Sequence, residues 1–237
     1  MPDYAPPPLW MHRVVAVIEV LVCSDFPTQL ALAALFTVMG YGAMSGGHLR
    51  VGYVVGLSLA DAVLLIGLIF VFLYSHGESP REVLLGRRSV VAEAAFGIPL
   101  TVVALVLGVG VLAAIVHFVP RLHTVAENPL QDLLQSKRDA ALFALVVVVA
   151  GGIREEIQRA FLLHRFEVWL GGGRVGLIVT SVAFGAGHLL QGADAGIATG
   201  MLGMLWAFVY LRRRSAVAPM VSHAGFDLVQ IAQFLVR

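Results

Sequence analysis

Three short stretches in the last third of the chain hold titratable side chains at helical spacing. They are Arg154-Glu155-Glu156-Ile157-Gln158-Arg159, Phe184-Gly185-Ala186-Gly187-His188 and His223-Ala224-Gly225-Phe226-Asp227. Residues four apart share a helix face, so Glu155 lies above Arg159, Phe184 above His188 and His223 above Asp227, while Glu156 points about 100° away from Glu155. A carboxylate paired with a histidine in a water-excluded cavity can hold and deprotonate a water molecule. A second histidine, held in one tautomer by a neighbouring carboxylate, can donate to a developing oxyanion. Two histidines and a carboxylate, here His188, His223 and Glu155, are equally a common zinc set with one position left open for water. The spacing fits both the metal-free and the zinc scheme.

The elements that must carry these groups are apolar. The 237 residues are 59% hydrophobic and 13% charged, with a mean hydropathy of +0.87, against about 45–50% apolar and about 25% charged in a soluble domain. A bilayer core of about 30 Å needs roughly 20 apolar residues per helix. Seven stretches approach that length: Phe26–Met44, Val51–Tyr74, Val90–Val119, Ala140–Trp169, Val175–Leu190, Ala195–Leu211 and Ala216–Val236. The expectation is an all-α, polytopic transmembrane bundle of about seven spans, six to eight, forming one integral membrane domain over 1–237. Residues 1–139 supply the first spans and 140–237 the helices with the chemistry. Leu9–Cys23 is expected to enter or lie on the interface, and the amphipathic piece Leu130–Leu134 to lie along the surface. The N-terminus lacks the basic start and clean apolar stretch of a cleaved signal. Gly192, Gly196, Gly200 and Gly203 predict a smooth stripe where another backbone approaches closely, and Gly171–Gly173 a turn between helices.

Basic residues collect in alternate loops: Arg81, Arg87 and Arg88, then Arg174, then Arg212, Arg213 and Arg214. The positive-inside rule then places the N-terminus in the cytoplasm and the C-terminus outside, in a cell membrane. Arg50, Arg121, Lys137 and Arg138 fall on the other face. A net charge of +1, with arginines scattered among loops, offers nothing to nucleic acid. The single cysteine, Cys23, excludes an internal disulfide framework and a CxxC metal site.

A charged group at the centre of a spanning helix costs about 2.5–3.5 kcal/mol. The late cluster accumulates roughly 10 kcal/mol of such penalties before pairing, which function explains better than packing. Asp61, the one strong case among the early spans, is expected to pair with an arginine or to border a cavity. Glu93, His117, His164, Arg165 and Glu167 are expected to be interfacial.

The ordered set of motifs resembles the CAAX prenyl protease and bacteriocin-processing (CPBP, Abi-type) intramembrane proteases, whose pattern is a double glutamate followed by an arginine, then Phe-x-x-x-His, then His-x-x-x-Asn/Asp on three late helices. Here these look like Glu155-Glu156 with Arg159, Phe184 to His188 and His223 to Asp227, over Gly151 onward. The resemblance implies a cavity open to the cytoplasm and an endopeptidase, often labelled a metalloprotease. It assigns water activation to Glu155 and His188, oxyanion stabilisation to His223 and Asp227, and a bracing role to Glu156 and Arg159. The family's arginine lies four residues after the second glutamate, where this chain has Ala160, so Arg159 can partner either Glu155 or Glu156; if it clamps Glu155, Glu156 becomes the candidate base. The expected partners are a peptide or protein substrate, in some family members lipidated, and the lipid bilayer. Two other classes fit the same residues: a transporter or proton- or cation-conducting protein, and a peptide-binding immunity or scaffold protein that does not cut.

Overall fold

A computed structural model describes residues 8–46, 48–125 and 133–236. Most of the amphipathic piece Leu130–Leu134 therefore lies outside the described residues. The fold is an all-α helical bundle with one small antiparallel hairpin of β1 (Met44–Ser45) and β2 (His48–Leu49). Helices α1 (Leu9–Val22) and α2 (Phe26–Val38) meet at a 46° bend and together are apolar enough to cross a membrane as one broken span. The segment predicted as an entering or interfacial helix is thus the first half of a bent pair that qualifies as a broken span or a re-entrant loop. The stretch predicted to run to Met44 ends at Val38, because Gly40 turns the chain with φ +76° and Tyr41 N–H closes on the Phe36 carbonyl at 2.8 Å.

Helices α3 (Val51–Ser75), α4 (Val90–Phe118) and α8 (Ala193–Arg213) each pass the length and hydropathy test for a span. A long helical rod runs from Lys137 to Trp169 as α5 (Lys137–Val146), a π-helical segment (Val147–Arg154) and α6 (Glu155–Trp169). The shorter apolar helix α7 (Gly173–Gly187) and helix α9 (Val217–Val236) complete the bundle. By length and composition three helices qualify as spans among the described residues, four with the bent pair. α4 packs along α9 and α7 along α8. At the α7–α8 crossing, a side chain on Gly185 would stand 2.6 Å from the Gly196 carbonyl oxygen, and Gly200 lies just beyond. The predicted glycine stripe is therefore a backbone-to-backbone contact, though Gly192 precedes the helix.

Contacts define the two ends of the bundle. At one end the loops bearing the arginines converge. Arg213 grips the buried Glu93 with two hydrogen bonds of 2.8 Å, Arg214 pairs with Glu167, and Ala216 N–H donates to the Leu84 carbonyl at 2.8 Å. The start of α1 is here too, with His12 stacked on Trp169 at 4.6 Å. At the other end Asp194 accepts from His123 at 2.6 Å and Thr124 Oγ1 from the Ala193 N–H at 2.9 Å.

Glu93 and Arg165, expected at the interface, are fully buried within the bundle. Arg165, on α6, is held by Glu19 of α1 and, at 2.5 Å, by Glu78 from the loop after α3. His76 adds a 2.6 Å contact to Glu19, and His164 one of 2.7 Å to Glu78. This network fastens α1 to α6 where packing alone is thin. Burial pushes the Glu78 carboxyl up, but the hydrogen bonds from His164 and Arg165 outweigh it and hold the group down at about 2. A depressed carboxylate contributes stability above its unfolded value, 4.5 here, and loses that contribution as pH falls toward the folded value. The detergent-solubilised protein should therefore melt higher than its Glu78→Gln variant near neutral pH, and the gap should close between pH 4.5 and about 2. A gap in Tm independent of pH over that window would contradict the assignment.

Candidate active site

The π-helical segment ends at Arg154, directly before the two glutamates. Such segments widen a helix by one residue per turn and occur mostly at functional sites. Here Gly151 and Gly152 lie within it, and a side chain at Gly152 would stand 2.7 Å from Ala224 Cβ on α9. Their small size brings α9, with His223 and Asp227, against the rod at the level of Glu155.

The two glutamates then part company. Glu156 is 1% exposed and points into protein. Its Oε1 accepts from Arg159 Nη1 and, at 2.8 Å, from His223 Nδ1. Arg159 therefore braces Glu156 and leaves Glu155 free of it. Arg159 in turn lies over the Phe184 ring, 4.5 Å from its centroid, and 5.7 Å from that of Trp206. Glu155 lines a cavity of about 590 Å3 together with Arg154, His188, Trp206, His223 and Asp227. Its Oε2 is 3.8 Å from His223 Nε2, and Asp227 Oδ2 is 3.7 Å from the same nitrogen.

Each histidine is fixed by its own local contacts. The indole of Trp206 stacks on His223 at 3.9 Å with 19° between planes, and Trp206 Nε1 is itself anchored on Ser222 Oγ at 3.1 Å. With Nδ1 donating to Glu156, the Nε2 edge of His223 is turned to the cavity. His188 is not inside α7, as its motif suggested, but caps its C-terminus. The Phe184 carbonyl, one of the acceptors a helix end leaves free, receives the His188 Nδ1–H at 2.8 Å. A carbonyl can only accept, so neutral His188 carries its lone pair on Nε2, the nitrogen left for chemistry.

The structure thus brings Glu155, His188, His223 and Asp227 to one cavity and sets Glu156 and Arg159 behind it. Among the described residues no three His, Cys, Asp or Glu side chains converge in a metal-ligating group. His188, His223 and Glu155 border one cavity without forming such a group.

Trp206 was missed by the sequence reading, since a tryptophan in an apolar helix looks like ordinary core. The pair His123 and Asp194 was missed as well. It lines the same cavity, joining residues 71 apart in the chain, and no local spacing announces it. Arg154 stood inside a motif but had no role. It lies 3.5 Å from Glu155 Oε1 and 2.7 Å from Asp25 Oδ1, and 3.7 Å from Asp61 Oδ2, so Asp61 has the arginine partner expected of it.

The cavity extends from Trp206 and His223 at mid-bundle toward the His123–Asp194 end, and its lining includes no arginine of the convergent loops. A mouth on the cytoplasmic side and arginine loops on the cytoplasmic side were both expected.

Residues 137–229 match the family model described as type II CAAX prenyl endopeptidase Rce1-like, in agreement with the CPBP resemblance read from the three motifs. At the level of the family this supports a membrane-embedded protease. No curated protein and no solved structure matches the chain.

Removing one member of a buried ion pair leaves the other charge uncompensated, at a cost of about 3–5 kcal/mol. Arg159→Ala should accordingly lower thermal stability in detergent much more than Glu155→Gln, whose carboxylate reaches the cavity. Equal Tm values for the two variants would show that Arg159 does not carry the brace.

Proposed function

We propose that the chain is an intramembrane endopeptidase in which Glu155 and His188 activate water and His223 with Asp227 receives the oxyanion. The observation that carries this reading is the division of labour between the glutamates: Glu156 is consumed by Arg159 and His223, while Glu155 faces the cavity beside His223 and Asp227. A water held at Glu155 gives its proton to the carboxylate as its oxygen attacks the peptide carbonyl carbon. The carbonyl oxygen becomes an oxyanion stabilised by a proton on His223 Nε2, which the two carboxylates facing that nitrogen help retain there. Glu155 then passes its proton to the leaving amine as the carbon–nitrogen bond breaks, which restores the carboxylate and releases two peptides. His188, with Nε2 as acceptor, holds the second hydrogen of the water.

The substrate is proposed to be a peptide or protein segment, lipidated if the family's description extends to this chain. The gathering of Glu155, His188, His223 and Asp227 around one cavity favours a reaction chamber over the conduit that a transporter requires. Cleavage of a panel of plain and prenylated peptides by purified protein should fall by about 100-fold or more in Glu155→Ala and in His188→Ala, with melting temperatures retained. Indifference of the rate to both changes would sink the reading. A zinc enzyme remains the other proposal for the same residues, and metal analysis separates the two: stoichiometric zinc in wild type, lost in both His188→Ala and His223→Ala, would replace the metal-free scheme.

The arginine-bearing end is proposed to face the cytoplasm, which puts the N-terminus there and the cavity mouth on the opposite face. In a Cys23→Ser background, an impermeant maleimide on intact cells should label Met44→Cys, 58% exposed at the cavity end, and spare Arg87→Cys. The reverse pattern would place the mouth in the cytoplasm.

A further inference from the structure

We infer that Arg154 is a positioning residue for Glu155, and that Asp25 and Asp61 exist to hold Arg154. The inference rests on the endopeptidase reading, because it assigns Arg154 a task only if Glu155 is the base.

Arg154 is 4% exposed and is surrounded by groups from three elements. Asp25 Oδ1, from the corner between α1 and α2, lies 2.7 Å from Nη1. Asp61 Oδ2, from the fully buried face of α3, lies 3.7 Å from Nε, and Glu155 Oε1 lies 3.5 Å from Nη2. The guanidinium is planar and its donors point in fixed directions. Asp25 at Nη1 and Asp61, at ion-pair distance from an Nε that makes no hydrogen bond, attract the guanidinium from the sides away from Nη2 and so hold that nitrogen toward Glu155. With Oε1 of Glu155 turned to Arg154, Oε2 is the oxygen that faces His223 and the cavity.

Asp25 breaks two local rules in taking up this position. It adopts φ +80°, a region that residues other than glycine rarely occupy, and it is the N-cap of α2 without a capping bond from its side chain. An aspartate at a helix N-cap ordinarily accepts from the first turn. Here one carboxylate oxygen goes to Arg154 and the other accepts from Gln29 Nε2 at 2.7 Å. Departures of this kind persist where the surrounding structure demands them, and they cluster at functional sites. The corner is tied down a second time: Gln158, one helical turn after Arg154, donates from Nε2 to the Cys23 carbonyl at 2.8 Å. The broken first span is thus docked onto the glutamate-bearing turn by two polar contacts in an apolar setting.

The test is steady-state cleavage by the full-length protein in detergent, each rate expressed per folded molecule as counted by gel filtration and thermal melting. Arg154→Gln should lower kcat by about 30-fold with KM within twofold of wild type, because peptide grip does not pass through Arg154. Arg154→Lys should recover at least a third of the lost rate, and guanidinium added to Arg154→Ala should raise its rate by reaching the empty place through the cavity. Asp61→Asn, remote from the cavity, should reduce kcat about threefold to tenfold with the same unchanged KM. Should Arg154→Gln fail to fold, Arg154→Ala and Asp61→Asn still decide. A kcat per folded molecule within twofold of wild type in both Asp61→Asn and Arg154→Gln, or in Asp61→Asn and Arg154→Ala where Arg154→Gln does not fold, overturns the inference, and so does a loss carried by KM. If those variants are normal while Glu155→Gln is inactive, the positioning role alone fails. If wild type cleaves nothing, or Glu155→Gln cleaves normally, the endopeptidase reading fails and the inference goes with it.

Discussion

One buried oxygen organises the centre of this protein. Glu156 Oε1 accepts from Arg159 on its own helix and from His223 on α9, and it does so away from water. A carboxylate in such surroundings is tolerated only when its charge is met and its acceptor capacity used. Meeting both conditions requires α6 and α9 to keep one register and one distance. The tautomer of His223, the direction of its free nitrogen and its stack against Trp206 all follow from that single junction. The second glutamate is therefore the fixed point, and the first is the group left over for work.

Around this centre, polar contacts take over a task that apolar packing performs in soluble proteins. Lipid offers no hydrophobic incentive for helices to associate, so specificity rests on close backbone approach and on hydrogen bonds. Both are visible. Gly185 and Gly196 let α7 and α8 touch, while Arg165 with Glu19 and Arg154 with Asp25 bind the broken first span to α6 at two heights.

Periodicity and hydropathy made much of this legible. The all-α bundle, its long apolar helices and the glycine contact between α7 and α8 follow from patterns that repeat along the chain. The three motifs identified residues, Glu155, His188, His223 and Asp227, that do gather around one cavity. What escaped was whatever depends on chain ends meeting in space. The bend at Asp25 is set by a partner more than a hundred residues away, and the pair His123–Asp194 has no local signature. Arg165 and Glu93 looked interfacial because they lie near helix ends, and only the converging loops show that those ends are covered. The choice between Glu155 and Glu156 as the partner of Arg159 was open on a helical wheel, where three and four residues are equally good spacings, and side-chain packing decided it.

The π-helical segment has a bearing on how such a chain can change over time. In a continuous α-helix each added or removed residue rotates everything beyond it by about 100°. Between Val147 and Arg154 the rod holds wider turns, and tightening them to α geometry would swing Glu155 away from His223 without altering a single side chain at the cavity. The helix therefore stores its phase in that segment. Single-residue insertions or deletions, ordinarily confined to loops, can be absorbed here inside a helical rod, and the angular position of the glutamates is set by how many residues the rod holds before them as much as by their identity.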